Sequence, residues 1–282
     1  MPRPFVCTLA TNHALQDLQY FLKSLMVWNS NAPTVYLFAD KDVATAIPAI
    51  KYTGKIIIKE ALNTYSHKMR TEMERIPSNG KTLWYDFQME KLNLLDWVFK
   101  SEKTASEVGV FYLDADIFFL GELPTIPEAA TVALSPHMIR KQDEKLYGTY
   151  NAGYFWTKSV DAIHAWRNAC QASRFFEQAA LEIFDTEEWS GRLYTFPIQT
   201  NYGWWRMFQS DTHYTELQKD WAIRREVRHA GITVKKEPLI SIHTHWNTSD
   251  FTTKIFNTFV RDLLTKLAPM HPPAKRLLSI IS

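Results

Sequence analysis

Cysteine is scarce in this sequence, and long apolar runs are missing. The 282 residues contain two cysteines, Cys7 in a predicted strand and Cys170 in a predicted helix, with no CxxC pair and no metal-ligand spacing. Neither a disulfide framework nor a thiolate metal site is therefore predicted, and reduced thiols are expected. No stretch approaches the roughly 18 uninterrupted apolar residues that cross a bilayer, so no transmembrane segment is predicted.

The beginning of the sequence lacks the features of a secretion signal. Residues 1–12 read MPRPFVCTLATN and enter a strand pattern at once. They leave no room for a charged leader followed by an apolar core of about 7 to 15 residues. A signal peptide is therefore not predicted, and the predicted location is the cytoplasm.

An excess of one charge sign is missing as well. Thirty-two basic residues against thirty acidic ones give a formal net charge of +2. This surplus is too small to indicate a nucleic-acid-binding surface unless the basic residues cluster. The densest basic stretch, WAIRREVRH at 221–229, has mixed signs and predicts a helix with a solvated face. No nucleic-acid partner is therefore expected.

Apolar and aromatic residues are abundant and follow a regular order in the first part of the chain. The composition is 46% hydrophobic and 14% aromatic, enough to fill a sizeable core. Apolar runs of strand length alternate with segments of helical periodicity, which predicts an α/β protein with a mostly parallel sheet flanked by helices. The predicted strands lie at 4–12, 34–40, 55–60 and 109–116, and the predicted helices at 15–29 and 83–100.

The second part of the chain is less regular but contains the same two kinds of element. No internal repeat, low-complexity tract or linker divides it, so one domain over 1–282 is predicted, with a front half at 1–118 and a back half at 119–282. The predicted strands lie at 131–136, 151–159, 192–197 and 238–246, and the predicted helices at 160–170 and 175–184.

Two aspartates follow the apolar strand VFYL at 110–113. Asp114 and Asp116 would emerge at the carboxyl end of this strand, where open α/β sheets bind their ligands. Two like charges this close repel unless a cation lies between them. Mg²⁺ and Mn²⁺ prefer such oxygen ligands and are commonly shared with substrate phosphates. The alternative is two solvated aspartates that end the strand and begin a turn.

A pair of histidines lies in the last predicted strand. His243 and His245 in SIHTHW would point to the same face, because strand side chains alternate. Imidazole is a common metal ligand, so either histidine is a candidate third ligand beside the two aspartates. The alternative is that both are ordinary, partly buried strand residues.

Taken together, these stretches resemble the metal-dependent GT-A glycosyltransferases, specifically the glycogenin-like members of glycosyltransferase family 8. FVCTLATNHA at 5–14 looks like the family's first strand, MEKLNLLDW at 89–97 like its lysine-bearing helix, and VFYLDADIFFLGEL at 110–123 like its metal motif. The resemblance covers residues 4–246. It implies a Rossmann-like GT-A fold whose front half binds a nucleotide and whose back half binds the donor sugar and the acceptor.

The resemblance implies a donor site at the ends of the first strands. The family holds uridine with residues that follow strand 1, brings a lysine to the nucleotide, and binds the diphosphate and cation with the metal motif. Carried over to this sequence, the implied donor-binding residues are Leu9, Thr11, Asn12, Lys91, Asp114, Ala115, Asp116 and Gly153.

The back half matches the family in the same order. The segments at 150–159, 176–184, 196–202 and 240–246 resemble its Asn-x-Gly strand, Asp-Gln-x-x-Leu helix, Leu-Pro-x-x-x-Asn segment and metal-histidine strand. The implied catalytic residues, placed against the donor sugar, are Asn151, Glu177 and Gln178. The implied metal ligands are Asp114, Asp116 and a histidine, for which His243 and His245 both remain candidates.

Two departures from the family pattern bear on the site. Glu177 stands where the family has aspartate, which lengthens the side chain by one methylene. The lysine of the lysine-proline-tryptophan that follows the metal histidine is missing, since the next lysine is Lys254. The first departure affects how far the side chain reaches toward the donor sugar. The second affects the neutralisation of the phosphates.

The resemblance implies transfer of a hexose or pentose from a nucleoside-diphosphate sugar, with UDP expected, to a hydroxyl of a glycan or glycoprotein acceptor. Mn²⁺ or Mg²⁺ is the implied cofactor, and the anomeric configuration is retained if the analogy extends to stereochemistry. An inverting route would need a carboxylate base, for which Glu177, Glu182 and Asp211 are candidates.

Trp204 and Trp205 are candidates for stacking on an acceptor sugar, with burial in the core as the alternative.

Two other functions fit the same residues. One is a nucleotide-sugar-binding protein without turnover. The other is a haloacid-dehalogenase-like phosphatase, whose nucleophile motif is also Asp-x-Asp after an apolar strand. In that class the motif normally lies near the chain start, whereas here it begins at residue 114. The oligomeric state stays open.

Overall fold

A computed structural model describes residues 4–29, 31–224 and 229–282. Its strands form one large sheet, two smaller three-stranded sheets and a hairpin. The strands are β1 Phe5–Ala10, β2 Val35–Ala39, β3 Ile56–Glu60, β4 Pro77–Ser78, β5 Lys81–Thr82, β6 Val110–Leu113, β7 Ile117–Phe119, β8 Val132–Pro136, β9 Tyr150–Thr157, β10 Leu193–Thr195, β11 Tyr202–Gly203, β12 Trp221–Ile223, β13 Ile232–Val234, β14 Glu237–Pro238 and β15 Ser241–His243.

The large sheet has the strand order β10-β8-β9-β6-β1-β2-β3. The pairings β6–β1, β1–β2, β2–β3 and β8–β10 are parallel, and among the described strands of this sheet β9 alone runs against its neighbours. β2 is buried at every position, as expected for a strand that is covered by helices on both faces. The predicted α/β class with a mostly parallel central sheet is confirmed.

Helices cover both faces of the large sheet. Those in the described ranges are α1 Leu15–Trp28, α2 Lys41–Ala46, α3 Arg70–Met73, α4 Leu83–Ser101, α5 Ala105–Val108, α6 Lys141–Tyr147, α7 Val160–Ala169, α8 Trp205–Phe208, α9 Tyr214–Gln218, α10 Phe251–Leu267 and α11 Pro272–Ile281. None of these helices combines the length and the apolar character that crossing a membrane requires.

The core consists of two apolar clusters, one on each face of the sheet. Alternation along β1 sends Val6 into the cluster shared with α1, α10 and α11, and Cys7 into the cluster shared with α4 and α7. In α1 the buried residues Leu18, Phe21, Leu22 and Leu25 recur at helical spacing. Both clusters contain residues from 1–118 and from 119–282. The single-domain organisation stays a prediction that this shared core favours.

A small sheet positions the end of β6. After Leu113 the chain leaves the large sheet, passes through Asp114–Asp116 and enters β7. β7 pairs antiparallel with β15, which pairs parallel with β11. The register sets His243 opposite Ile117, the residue that follows Asp116. Two segments more than 120 residues apart in the sequence therefore meet at the carboxyl end of β6.

Two of the predicted helices are wrong in type. In the segment predicted as a helix over 175–184, residues Ala179–Asp185 form a 3₁₀ helix. Ala179 lies directly against Gly148, and Trp166 Nε1 donates to the Glu177 carbonyl at 2.7 Å, so tertiary contacts fix this backbone. In the segment 221–229, Trp221–Ile223 is a strand paired with β13, and 225–228 lies outside the described residues.

Candidate functional site

Two carboxylates and an imidazole converge where β6, β7 and β15 meet. Asp114 and Asp116 follow β6, and His243 ends β15. One ligand atom from each of the three residues lies within 4.8 Å of the other two. The Asp116 carbonyl also accepts a hydrogen bond from the Thr244 amide at 3.0 Å, which fixes the two segments to each other.

His243 is buried and faces both aspartates. Its Nε2 atom lies 2.9 Å from Asp116 Oδ1 and 3.9 Å from Asp114 Oδ2. The Trp205 ring packs against it edge to face, with 4.8 Å between ring centroids. Its other ring nitrogen, Nδ1, is buried and has no hydrogen-bond partner among the described residues. The ring is thus oriented by packing, with Nε2 directed at the carboxylates.

His245 lies beside the cluster, but its side chain is exposed. Its Nε2 is 3.4 Å from Asp116 Oδ2, and its Nδ1 is 2.7 Å from Asp17 Oδ2 on α1. The negative charge of Asp116 and the contact with Asp17 raise the pKa of His245 to about 9. Burial would raise the pKa of Asp116, but the two histidines lower it below its usual range. Of the two histidines, His243 lies in the three-residue cluster, whereas His245 bridges Asp116 and Asp17.

Asp114 is oriented by two groups on one of its oxygens. Tyr112 donates its hydroxyl to Asp114 Oδ1 at 2.7 Å, and Lys91 Nζ lies 3.5 Å from the same atom. Oδ2 is thereby left on the side of His243. Lys91 is only 5% exposed and pairs with Glu177 at 2.7 Å. Burial would lower the pKa of Lys91, but the carboxylates of Asp114 and Glu177 raise it above its usual range.

Gly153 leaves the space in which the cluster forms. It lies on β9, where its carbonyl accepts a hydrogen bond from the Asp114 amide at 2.8 Å. A Cβ atom built on Gly153 would lie 2.3 Å from Asp114 Oδ2 and 2.5 Å from His243 Cε1. Any side chain at this position would therefore displace the Asp114 carboxylate or the His243 ring.

The three residues predicted to act on the donor sugar differ in position. Glu177 and Gln178 line the cleft beside Asp114, whereas Asn151 is not among the lining residues. Asn151 Oδ1 accepts from Asn201 Nδ2 at 3.0 Å, and its Nδ2 lies 3.5 Å from Gln178 Oε1. Gln178 also donates to the Tyr147 carbonyl at 2.9 Å. Glu177 is 4% exposed and forms an ion pair with Lys91.

The end of β1 forms one rim of the cleft. Leu9, Thr11 and Ala115 line it, but Asn12 does not. The side-chain carbonyl of Asn12 instead accepts from the His67 amide at 2.9 Å, and its backbone amide donates to the fully buried Asp40 at 2.7 Å. Asn12 therefore fastens a neighbouring loop to the end of β1.

The cleft has a volume of about 340 Å³ and extends from the cluster to a wall of aromatic rings. Sequence reasoning missed several of its residues. Asp17 and Arg70 had no motif to mark them, and the rings lie among many other aromatics in the sequence. The missed aromatic residues of the wall are Trp84, Phe87, Phe175 and Phe176.

The other predicted candidates lie elsewhere. Glu182 forms an ion pair with Arg174 at 2.6 Å, and Asp211 is exposed; neither lines the cleft. Trp205 is buried against His243 and donates its indole N–H to the His137 carbonyl at 3.2 Å. Trp204 is half-buried and does not line the cleft. Trp205 is therefore a packing residue rather than an exposed platform.

The donor set suits a divalent cation. Carboxylate oxygens are ligands that Mn²⁺ and Mg²⁺ prefer, and an imidazole nitrogen is a common ligand of divalent transition metals. The three ligand atoms are already close together, and Gly153 keeps the space between them open. These residues fit a divalent metal site that is open toward the cleft.

Solved structures provide the comparison, since no family model matches the sequence and no curated protein matches it. Mouse xyloside xylosyltransferase 1 in its apo form has a TM-score of 0.52 and 11% identity, with 88% of this chain and all of that chain covered. The galactosyltransferase LgtC, solved in complex with donor and acceptor sugar analogs, has a TM-score of 0.54 and 13% identity, with 92% and 94% covered.

A third match is the apo form of the glycosyltransferase GlyE from Streptococcus pneumoniae TIGR4. Its TM-score is 0.54 at 14% identity, with 95% of this chain but 63% of that chain covered. At these identities the likeness concerns the fold, and the matched proteins are glycosyltransferases. The mostly parallel sheet, the Asp-x-Asp segment that leaves it and these matches together show that the chain has the GT-A glycosyltransferase fold.

Proposed function

We propose that this protein is a metal-dependent glycosyltransferase that moves a hexose or pentose from a UDP-sugar to a hydroxyl of a glycan or glycoprotein, with retention of configuration. The observation that carries the proposal is the cluster of Asp114, Asp116 and His243 at the open end of a GT-A sheet. The matched structures are glycosyltransferases, one of them a complex with donor and acceptor sugar analogs. A cytoplasmic location remains a prediction from the sequence.

Asp114, Asp116 and His243 would hold Mn²⁺ or Mg²⁺. When bound, the ion supplies Lewis-acid stabilisation of the negative charge that develops on a diphosphate leaving group. Tyr112 and Lys91 occupy Asp114 Oδ1 and so keep Oδ2 available. The structure suggests His243 rather than His245 as the third ligand, because His245 is exposed and bonded to Asp17.

Lys91 and Glu177 form the floor of the cleft next to Asp114. Lys91 stays protonated there because two carboxylates surround it, and it neutralises charge beneath a bound donor. Gln178 presents its amide to the cleft and is positioned by Tyr147 and Asn151, so we assign it contact with the donor sugar. Asn151 would position Gln178, and Asn12 would hold the loop at His67 by accepting a hydrogen bond from the His67 amide.

The nucleotide would lie along the rim formed by Leu9, Thr11 and Ala115. Trp84 and Phe87 stack on each other at 5.3 Å between centroids in the aromatic wall, and they offer apolar faces to a base or a sugar ring. This arrangement gives the cleft a charged end for the diphosphate and an apolar end for ring systems.

The test is a thermal-shift measurement combined with a turnover assay. UDP should raise the melting temperature by about 5 °C at saturating concentration, and only when Mn²⁺ or Mg²⁺ is present. EDTA or the substitution Asp116→Asn should abolish the shift. Asp211→Asn, at an exposed aspartate outside the cleft, is the matched control and should keep it.

Release of UDP separates the proposal from its two alternatives. A panel of UDP-sugars should yield metal-dependent UDP release that Asp116→Asn removes. A binding protein without turnover would show the thermal shift but no UDP release with any donor and acceptor. A haloacid-dehalogenase-like phosphatase would liberate phosphate from a generic monoester, and that result with no UDP release would overturn the proposal.

A further inference from the structure

A second cavity adjoins the cleft and differs from it in charge. It has a volume of about 390 Å³ and shares Arg70, Phe175 and Phe176 with the cleft. We call it the basic chamber, defined by Arg70, Glu74, Lys81, Thr82, Tyr85, Ser173, Arg174, Phe175 and Phe176. The shared residues make the chamber a continuation of the cleft beyond its aromatic wall.

The two cavities differ in the balance of charged side chains that line them. The cleft lining contains four carboxylates, those of Asp17, Asp114, Asp116 and Glu177, together with Arg70, Lys91 and His245. The basic chamber contains three cationic side chains and a single carboxylate, that of Glu74, which forms an ion pair with Arg70 at 2.7 Å. Cations outnumber carboxylates in the lining of the chamber, which therefore suits an anionic group.

Lys81 is the cation that is available to a ligand in the chamber. Its ammonium group lies 4.0 Å from the Tyr85 ring centroid and 3.4 to 3.5 Å from the carbonyls of Gln171 and Cys170. Over the described part of the chain, no carboxylate forms an ion pair with it. Arg174, by contrast, is engaged by Glu182 through two nitrogens, at 2.6 and 2.8 Å. An exposed lysine held by weak neutral contacts can bind a carboxylate or a phosphate at little cost.

The segment between the two cavities is strained. Phe176 has a φ of 42°, a left-handed conformation that is unfavourable for a bulky side chain. Phe175 and Phe176 line both cavities, and the next two residues, Glu177 and Gln178, line the cleft. One turn thus places two rings at the junction and an amide in the cleft that Asp114 and Asp116 also line. Backbone strain of this kind persists only where the surrounding structure holds it, and such residues cluster at functional sites.

We propose that the basic chamber binds the anionic part of the acceptor, so that the acceptor is a carbohydrate carrying a carboxylate or a phosphate. Lys81 pairs with the anion, and the faces of Tyr85 and Phe175 pack on the apolar face of a sugar ring. The hydroxyl that receives the transferred sugar then lies toward Gln178, through the junction. This inference rests on the proposed function and adds the acceptor class to it.

The test compares charged and neutral probes that differ in little else. Calorimetry should show that trigalacturonate binds more tightly than its methyl ester, or that glucose 6-phosphate binds more tightly than glucose. The pair with the larger ratio of affinities, charged over neutral, identifies carboxylate or phosphate as the anion. Lys81→Gln should reduce the preferred probe's affinity by about tenfold, the loss expected for one hydrogen bond to a charged group. Lys81→Arg should restore it, and Lys254→Gln on α10 should leave it unchanged.

Equal affinity for the charged and neutral member of both pairs would overturn the acceptor assignment, as would unchanged binding in Lys81→Gln. The Mn²⁺-dependent thermal shift with UDP and the hydrolysis of UDP-sugars should be unaffected in Lys81→Gln. Loss of the UDP shift in that variant would assign the chamber to the donor instead. Absence of UDP-sugar hydrolysis in the wild type would overturn the proposed function, a result that does not depend on Lys81.

Discussion

The metal site depends on Gly153, although Gly153 is not itself a metal ligand. The site requires Asp114 and His243 to approach each other over a position that has no side chain. Gly153→Ala would place a Cβ atom 2.3 Å from Asp114 Oδ2, and one of these groups must then move. We expect Mn²⁺ affinity, measured in the presence of UDP, to fall by at least about tenfold, the range seen when the groups that orient metal ligands are altered.

The control for this substitution is Gly121→Ala. The nearest atoms to a Cβ atom at Gly121 would be Ile240 Cδ1 at 3.2 Å and His229 Cβ at 3.3 Å, neither of them in the cluster, and shifts of a few tenths of an ångström would accommodate it. Both variants should retain the wild-type far-UV circular dichroism. Wild-type Mn²⁺ affinity in Gly153→Ala would show that the cluster is not the metal site.

His137 predicts a pH dependence of stability. It is buried against Trp205, the ring that also packs on His243, and its Nδ1 lies 3.2 Å from the Gly148 carbonyl. Burial, aided by the charge of Arg206, lowers its pKa from 6.5 to about 4. Between pH 6.5 and 4 the unfolded chain therefore binds a proton at His137 that the folded chain does not. The contribution of His137 to the free energy of unfolding is complete above pH 6.5 and declines as the pH falls toward 4.

The variant that isolates this effect is His137→Asn, whose side-chain amide can still donate to Gly148. From pH 7 to pH 5 the wild type should lose about 2 kcal/mol more unfolding free energy than the variant, from roughly 1.4 kcal/mol per pH unit. Urea titrations at several pH values measure this difference. His164→Asn, at an exposed position on α7, should follow the wild type. Parallel pH curves for wild type and His137→Asn would contradict the assignment.

At single residues, sequence reasoning was limited by contacts between distant segments. Alternation places His243 and His245 on one face, but β15 ends at His243, and only the register with β7 shows which ring lies between the aspartates. Asp17 was not identified because its partner His245 is 228 positions away. The aspartates themselves were identified because the signal, a polar pair after an apolar strand, is local.

At the scale of elements, regular periodicity sufficed for most of the sheet and its helices. α1, α4 and α7 were predicted because their apolar residues recur at helical spacing, and β1, β2 and β3 because short apolar runs end in polar turns. The segment 175–184 also has helical spacing, yet it forms a turn that leads into the 3₁₀ helix Ala179–Asp185. There, packing against Gly148 and the strained Phe176 backbone overrides local preference.

Element pairing explains why an apolar strand ends in two carboxylates. β6 belongs to the large sheet and β7 to a small sheet, so residues 114–116 span the gap between two sheets. The carboxylates of Asp114 and Asp116 face the cleft, whereas Ala115 between them is buried and joins the apolar cluster shared with α1. The change of sheet is a property of the pairing with β15, which the local sequence at 110–123 does not encode.

At the scale of the whole molecule, the two cysteines report on whether the halves at 1–118 and 119–282 fold as one unit. Cys7 and Cys170, one in each half, are fully buried in the same apolar cluster. Burial raises the pKa of both thiols, that of Cys170 to about 12, so neither reacts readily in the folded protein at pH 8. Their reactivity therefore measures the opening of this shared core.

We expect the shared cluster to make unfolding a single transition. In each single-thiol variant, Cys170→Ala or Cys7→Ala, labelling by a thiol reagent should rise along the same urea curve as the loss of far-UV circular dichroism. Mn²⁺ with UDP should shift both curves together to higher urea, because binding to the folded state stabilises the whole unit. Labelling of Cys170 before the dichroism changes, with Cys7 still protected, would show that the back half opens separately and would contradict the single-domain prediction.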